Sequence, residues 1–367
     1  MLGILEKAKQ LNTESIIRKN FEMLKASYKV NNILISQETK IPIKELEKID
    51  KEISVAFNIY EKIAEYFGIY TSDLFSEYSL RPIAGIFFRH KEDDNLSIEE
   101  RRFILKLYEW GLTFREVNPV KETDSLKFFR KYFKNIRSEK DIEEKGNKFR
   151  ELISFHLLSL QKIENLDTWK IKNFFKDFEK LIYKKLGVKI FHVYPSNKEI
   201  KFQSIYFPDL EIIFIKDPRY VGTVFFRLFH ELFHVFRKDK IEGFDICFGS
   251  EVRHPEDKYA NRFAAAVLIP INDLESKVKK INIENCKDIE KLYKEYIGSK
   301  ETFKNRLKSL GIKRKEISNC INNIKAKGKP ISIGNKDKIP PEIKKSIEQL
   351  YKNGLITYSR KQELLDF

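Results

Sequence analysis

The chain has 367 residues, 42% hydrophobic and 34% charged, with 70 Lys and Arg against 54 Asp and Glu. That length allows two or three domains with ample core, and the formal charge of +16 suggests an anionic partner such as nucleic acid, diluted because lysine runs through the whole chain. No apolar run approaches a membrane span, Glu6 and Lys7 leave no signal-peptide core, and no repeat or low-complexity segment stands out. The three cysteines, Cys247, Cys286 and Cys320, are odd in number and lack C-x-x-C spacing. They argue for a reducing compartment and against a cysteine metal site.

Residues 14 to 78 read as short helices. Glu14 to Tyr28 carries Ile17, Phe21 and Leu24 at helical spacing, and Leu34 to Thr39 is a second helix. Pro42 opens a third, through Ile49. Phe57 to Phe67 is a fourth, with Ile59, Ile63 and Phe67 on one face and Gly68 as its stop. This order resembles a helix-turn-helix of the Xre/Cro type, with Ile35 to Ile41 as second helix and turn and Pro42 to Lys48 as recognition helix. The resemblance implies double-stranded DNA as a partner, with Lys44, Glu45 and Lys48 facing base edges. Lys40 stands where that family usually has the turn glycine, and Asn32 where it often has glutamine. Glu45 and Glu47 bring negative charge to a surface meant for phosphates. The alternative is a helical bundle that keeps the fold without binding DNA.

Residues 79 to 150 read as a helical connecting region. The apolar segment 81–90 and the acidic loop 91–95 lead to a helix capped by Ser97, with Glu100 three residues on, running towards Trp110. Residues 119 to 148 are highly charged helix or loop. Phe174 to Leu186 is apolar at helical spacing and ends at Gly187. Val188 to Tyr194 and Leu210 to Ile215 then read as strands, the second directly before the helix that follows. His192 within the first is expected to be packed or half-exposed rather than catalytic.

Arg219 to Arg237 reads as a buried helix, with Asp217 as N-cap, Pro218 in the first helical position and Arg237 and Lys238 at the cationic C-terminal end. Within it His230, Glu231 and His234 spell H-E-x-x-H. Residues i and i+4 share a helix face, so both imidazoles can point a nitrogen at one Zn²⁺, and Glu231 can reach a water on it as general base and later acid. The alternative is two core histidines with local hydrogen bonds. A catalytic zinc takes three protein ligands and leaves one position for water. The third is sought in His254 to Pro270, which reads as a helix opening at Pro255 and stopping at Pro270, with Ala260, Phe263, Ala264 and Val267 as its packing stripe.

These two helices, H-E-L-F-H and D-K-Y-A-N-R-F-A-A-A-V-L-I-P, closely resemble the ImmA/IrrE metallopeptidases. Ser299 to Gly311 and the tail from Ile356 to Leu365 resemble the segments that follow the family's peptidase core. The resemblance implies Asp257 as third ligand, where the family usually has Glu; Asp is one methylene shorter. Glu256 and His254 are the other ligand candidates, and first-turn helix-dipole charge is the alternative role for Asp257. Tyr259 and Arg262 are near enough in sequence to be tested as oxyanion helpers.

The expectation is a predominantly helical α+β chain with a zincin-like metallopeptidase domain at 151–275. An Xre-like helix-turn-helix at 14–78, a connecting region at 79–150 and a helical C-terminal region at 276–367 complete it. It would be a cytoplasmic Zn²⁺-dependent endopeptidase. By resemblance its protein substrate is a transcriptional repressor, whose cleavage releases genes of a stress response or mobile element. The alternative is a DNA-binding regulator or antitoxin whose peptidase fold is non-catalytic.

Overall fold

A computed structural model describes residues 2–28, 30–75, 97–153, 168–217, 219–241, 244–248, 255–312, 314–324 and 331–366. The expectations for Pro218, His254 and residues 81–95 fall outside them. The chain divides into two compact units. One is Met1–Trp110 with Asn197–Lys201 and Glu242–Phe244; the other is Gly111–Ser196 with Phe202–Ile241 and Asp245–Phe367. Among the described residues no helix is long and apolar enough to cross a membrane.

The first unit is built from α1 (Leu2–Tyr28), α2 (Asn32–Thr39), α3 (Ile43–Asp50), α4 (Phe57–Phe67), α5 (Thr71–Leu74) and the first part of α6 (Ile98–Val117). Helix α1 begins well before Glu14. Ile17, Phe21 and Leu24 are buried with Ile35, Leu46, Ile49, Ile63 and Phe67, as their spacing requires. Asn31 caps α2 by accepting from the Leu34 N–H at 3.0 Å. Lys40, which closes α2, takes a left-handed conformation with φ 60. The turn therefore needs the geometry that glycine provides, at a cost of roughly 1–2 kcal/mol for a residue with a Cβ. Asn32 donates to Asp50 Oδ2 at 2.7 Å, and Lys25 pairs with Asp50 Oδ1 at 2.6 Å, so α1, α2 and α3 share one carboxylate. Ser97 caps α6 through the Glu100 N–H at 3.2 Å.

The second unit continues with α7 (Asp124–Phe133), α8 (Glu139–Leu152) and α9 (Thr168–Leu186), then strands β1 (Lys189–Val193), β2 (Ser204–Phe207) and β3 (Ile212–Lys216). Helix α10 (Val221–Phe236), a short 3-10 turn, β4 (Asp245–Cys247) and α11 (Pro255–Leu268) follow. The rest is helical: α12 (Ile271–Val278), α13 (Cys286–Lys294), α14 (Lys300–Ser309), α15 (Arg314–Asn323), α16 (Pro341–Lys352) and α17 (Tyr358–Leu365). The sheet has the order β1-β3-β2-β4, with β1 parallel to β3 and the other pairs antiparallel. A predominantly helical α+β architecture is what the periodicities predict. Strands β2 and β4 are additions to that prediction.

Helix α10 is held by aromatic packing. Phe225, Phe229, Phe233 and Phe236 are buried along it. Phe225 stacks on Phe175 of α9 at 4.5 Å between ring centroids. Phe133, Phe149 and Phe263 bring α7, α8 and α11 against Phe233 and Phe236. Each such burial contributes about 1.5–3 kcal/mol, so this apolar side fixes α10 while its opposite face carries the polar residues. On α8, Gly146 lets α11 approach: an added Cβ would lie 2.8 Å from the Ala266 Cβ. Nearby, buried Arg306 of α14 donates to the Ile269 carbonyl at 2.8 Å and to Glu143 Oε2 at 2.8 Å, while Arg262 donates to Glu143 Oε1 at 2.6 Å.

Two expectations are corrected here. The N-cap of α10 is Tyr220, and Asp217 is occupied elsewhere. Its Oδ2 accepts the backbone N–H groups of Ile333 and Gly334, each at 2.8 Å, because two amides of that segment converge on it. The cysteines are not all thiols: Cys286 and Cys320 form a disulfide between α13 and α15, and Cys247 stays outside it as a thiol.

Candidate metal centre

Helix α10 presents His230, Glu231 and His234, which are 2%, 0% and 2% exposed. The Nε2 atoms of the two histidines lie 3.2 Å apart. Two imidazole lone pairs that close repel unless a proton or cation lies between them. A tetrahedral ion with Zn–N bonds of about 2.0–2.1 Å would hold two such nitrogens about 3.3 Å apart, so the pair fits a metal. His230 Nδ1 is 3.0 Å from Asn261 Oδ1 on α11. As the N–H donor in that bond, Nδ1 leaves Nε2 as the lone-pair nitrogen that could ligate a cation. Burial, then the neighbouring His234 and Arg227, push the His230 pKa well below its usual value, which keeps the ring neutral and able to ligate.

Two carboxylates approach this pair. Asp257, in the first turn of α11, places Oδ1 3.6 Å from His234 Nε2 and 4.0 Å from His230 Nε2. Asp245, on β4, places Oδ2 3.1 Å from His234 Nε2. His230, His234 and Asp245 thus form a group of donors that could hold a metal. Glu256 is engaged elsewhere, its two oxygens taken by the Arg237 guanidinium at 3.0 and 3.2 Å. Arg262 is held by Glu143, and Tyr259 lines a neighbouring cavity.

Glu231 accepts from the Ser204 hydroxyl of β2 at 2.5 Å, while its second oxygen is buried without a hydrogen-bond partner among the described residues. Burial, then the charge of Asp245, raise its pKa well above the ordinary carboxylate range. An orphaned buried carboxylate oxygen is costly, and such a group is the kind found where a reaction needs it. Beside this centre a cavity of about 750 Å³ is lined by Thr223, Arg227, Tyr259, Asn261, Arg262 and Asn305 among others. Arg227 lies one turn before His230 on the same helix face, and Asn261 is the partner of His230, so the cavity adjoins the histidines.

Sequence reasoning brings His230, Glu231, His234 and Asp257 together. It misses Asp245, Ser204, Arg227 and Cys247, and gives Asn261 no role. On the N-terminal unit, Lys44, Glu45 and Lys48 sit on α3, where Lys44 is exposed and Lys48 pairs with Glu45 at 2.6 Å. That pair neutralises two of the three charges expected at DNA.

Compared with known proteins, residues 183–308 match the family model described as the IrrE N-terminal-like domain of the M78 peptidases. The matched span runs from α9 through α14 and contains both histidines, Glu231 and Asp257. It supports the ImmA/IrrE family and a metallopeptidase-like domain. No curated protein and no solved structure matches the chain.

Proposed function

We propose that this protein is a zinc-dependent endopeptidase of the ImmA/IrrE type, hydrolysing a peptide bond in a protein substrate. The observation that carries the reading is the convergence of two imidazole nitrogens 3.2 Å apart with flanking carboxylates and the Glu231 oxygen that has no hydrogen-bond partner among the described residues. His230, His234 and Asp257 are the proposed ligands, with Asp245 the competing third ligand. When bound, zinc supplies Lewis acidity and brings the pKa of a water towards neutrality.

The chain's own residues do the rest. Ser204 orients Glu231 through one oxygen and leaves the other to take a proton from the attacking water and return it to the leaving amine. Burial and the neighbouring Asp245 raise its pKa, which favours its holding that proton between the two transfers. Asn261 fixes the His230 tautomer, and the phenylalanines behind α10 hold both histidines in register. The cavity beside Arg227 and Asn261 is the proposed seat for substrate side chains. By resemblance, the substrate is a transcriptional repressor in the cytoplasm.

A second reading concerns the N-terminal unit. The left-handed Lys40 turn between α2 and α3 favours a helix-turn-helix, through which double-stranded DNA would bind. A regulator of that kind would need no cleavage.

Metal analysis of the purified full chain decides the first step. About one zinc per chain is expected, lost in His230→Ala and in whichever of Asp257→Ala and Asp245→Ala removes the true third ligand. Glu231→Gln is expected to keep the metal and the fold but to abolish cleavage of a repressor substrate. A wild-type chain that takes up no zinc when it is supplied would refute the reading, and so would cleavage by Glu231→Gln at the wild-type rate.

A further inference from the structure

Strand β4 lies antiparallel on β2, at the edge of the sheet beside the metal centre. The register pairs Cys247 with Ser204 and Asp245 with Tyr206. Alternate residues of a strand share a face, so Asp245 and Cys247 point the same way, with Ser204, whose hydroxyl bonds Glu231. The backbone is pinned as well, since the Gln203 N–H donates to the Cys247 carbonyl at 2.6 Å. A peptide adding to a sheet edge would take this position, and a segment of the chain itself already holds it.

The side chains of that segment are metal donors. Cys247 Sγ, a ring nitrogen of His230 and a carboxylate oxygen of Glu231 lie within 4.8 Å of one another. Cys247 is 8% exposed and lies outside the disulfide. Its sulfur accepts from Arg227 Nη1 at 2.6 Å, which holds it on the side of the strand that faces His230 and Glu231. The second Glu231 oxygen, fully buried and without a hydrogen-bond partner among the described residues, belongs to the residue that completes this group.

We propose that β4 is a self-inhibitory strap, in which Cys247 Sγ is a further ligand to the metal held by His230 and His234. The strap rests on the zinc reading proposed above. A zinc site with three protein ligands keeps an open position for chemistry, whereas one with four is closed. A thiolate is a soft, strong zinc ligand, so Cys247 fills the position hydrolysis needs and keeps the resting protein latent. Opening is a ligand exchange without redox change. A solvent water would take the sulfur's place and give one proton to the departing sulfur, and the strand could then leave the edge of β2 to a substrate.

Cobalt(II) substituted into the full-length chain tests this without an activity assay. The wild type is expected to bind one cobalt per chain and to show a near-ultraviolet thiolate-to-cobalt charge-transfer band. Cys247→Ser is expected to bind cobalt without that band. The Cys247 thiol should resist alkylation by iodoacetamide when cobalt is bound and react when the metal is removed. Stoichiometric cobalt without the band in the wild type, or an unchanged band in Cys247→Ser, would overturn the strap while leaving the metal reading intact. Failure to bind cobalt at all would overturn both.

Discussion

Replacing His192 by Gln probes a buried charge cluster that ties four segments of the second unit together. His192 lies on β1, with Nε2 2.7 Å from Glu179 Oε1 on α9 and Nδ1 3.4 Å from Asp217 Oδ1, ahead of α10. Asp217 in turn holds the amides of Ile333 and Gly334. Burial is the largest single influence on the imidazole and opposes its charge, but the Glu179 and Asp217 carboxylates together outweigh it and raise the pKa from 6.5 to about 10. The folded chain therefore keeps a proton that the unfolded chain releases. The resulting stabilisation is fully present below about pH 6.5 and fades as pH rises through about 10. A tenfold change in proton affinity is about 1.4 kcal/mol, so the whole contribution is on the order of 3–5 kcal/mol. Urea unfolding of wild type and His192→Gln, compared at about pH 6 and about pH 9.5, should show a large stability gap at the lower pH that shrinks at the higher. A gap of the same size at both would mean that His192 is not held as an imidazolium.

Three further outcomes follow from the packing. Glu143→Ala strips the counter-charge from Arg306, which is buried, and from Arg262, and should cost about 3–5 kcal/mol in urea unfolding; a loss no larger than that of a surface substitution would count against the pair. Reducing the Cys286–Cys320 disulfide, which closes a separation of 34 residues, should lower stability by about 3–4 kcal/mol, and the double substitution to Ser should match the reduced wild type in calorimetry. Gly146→Leu should push α8 from α11, cost about 1–3 kcal/mol, and weaken zinc in a chelator competition, since Asp257 and Asn261 ride on α11; unchanged metal affinity would show that the two helices do not set the site.

What can be read from the sequence is whatever one element contains by itself. The apolar period of α4 and its stop at Gly68 are legible, as are the phenylalanine-rich α10, the Pro255 start of α11 and the Ser299 cap of α14. Asp217 misleads as an N-cap because the groups that claim its carboxylate, the amides of Ile333 and Gly334, lie far along the chain. Strand β2 is four residues long and fully buried, so it lacks the alternation that marks a strand. Strand β4, three residues long, offers even less pattern. His192, expected to be packed or half-exposed rather than catalytic, is buried and an electrostatic hub because Glu179 and Asp217 reach it from other elements.

The same distinction governs the metal centre. H-E-x-x-H is legible because one helical turn fixes the spacing, and Asp257 becomes legible by resemblance of a second helix. Asp245 and Cys247 arrive from a sheet edge, and no local spacing announces them. Counting cysteines misses the bridge for a definite reason. An odd number without C-x-x-C spacing suggests thiols in a reducing compartment and no cysteine at the metal. Three cysteines are also what one structural bridge and one ligand require. The disulfide removes Cys286 and Cys320 from the count, and Cys247 remains beside His230, Glu231 and Arg227, in a group of donors that could hold a metal. If the strap holds, latency resides in the sheet edge that a substrate would occupy, and the residue that opens the site is the one that no spacing in the chain marks out.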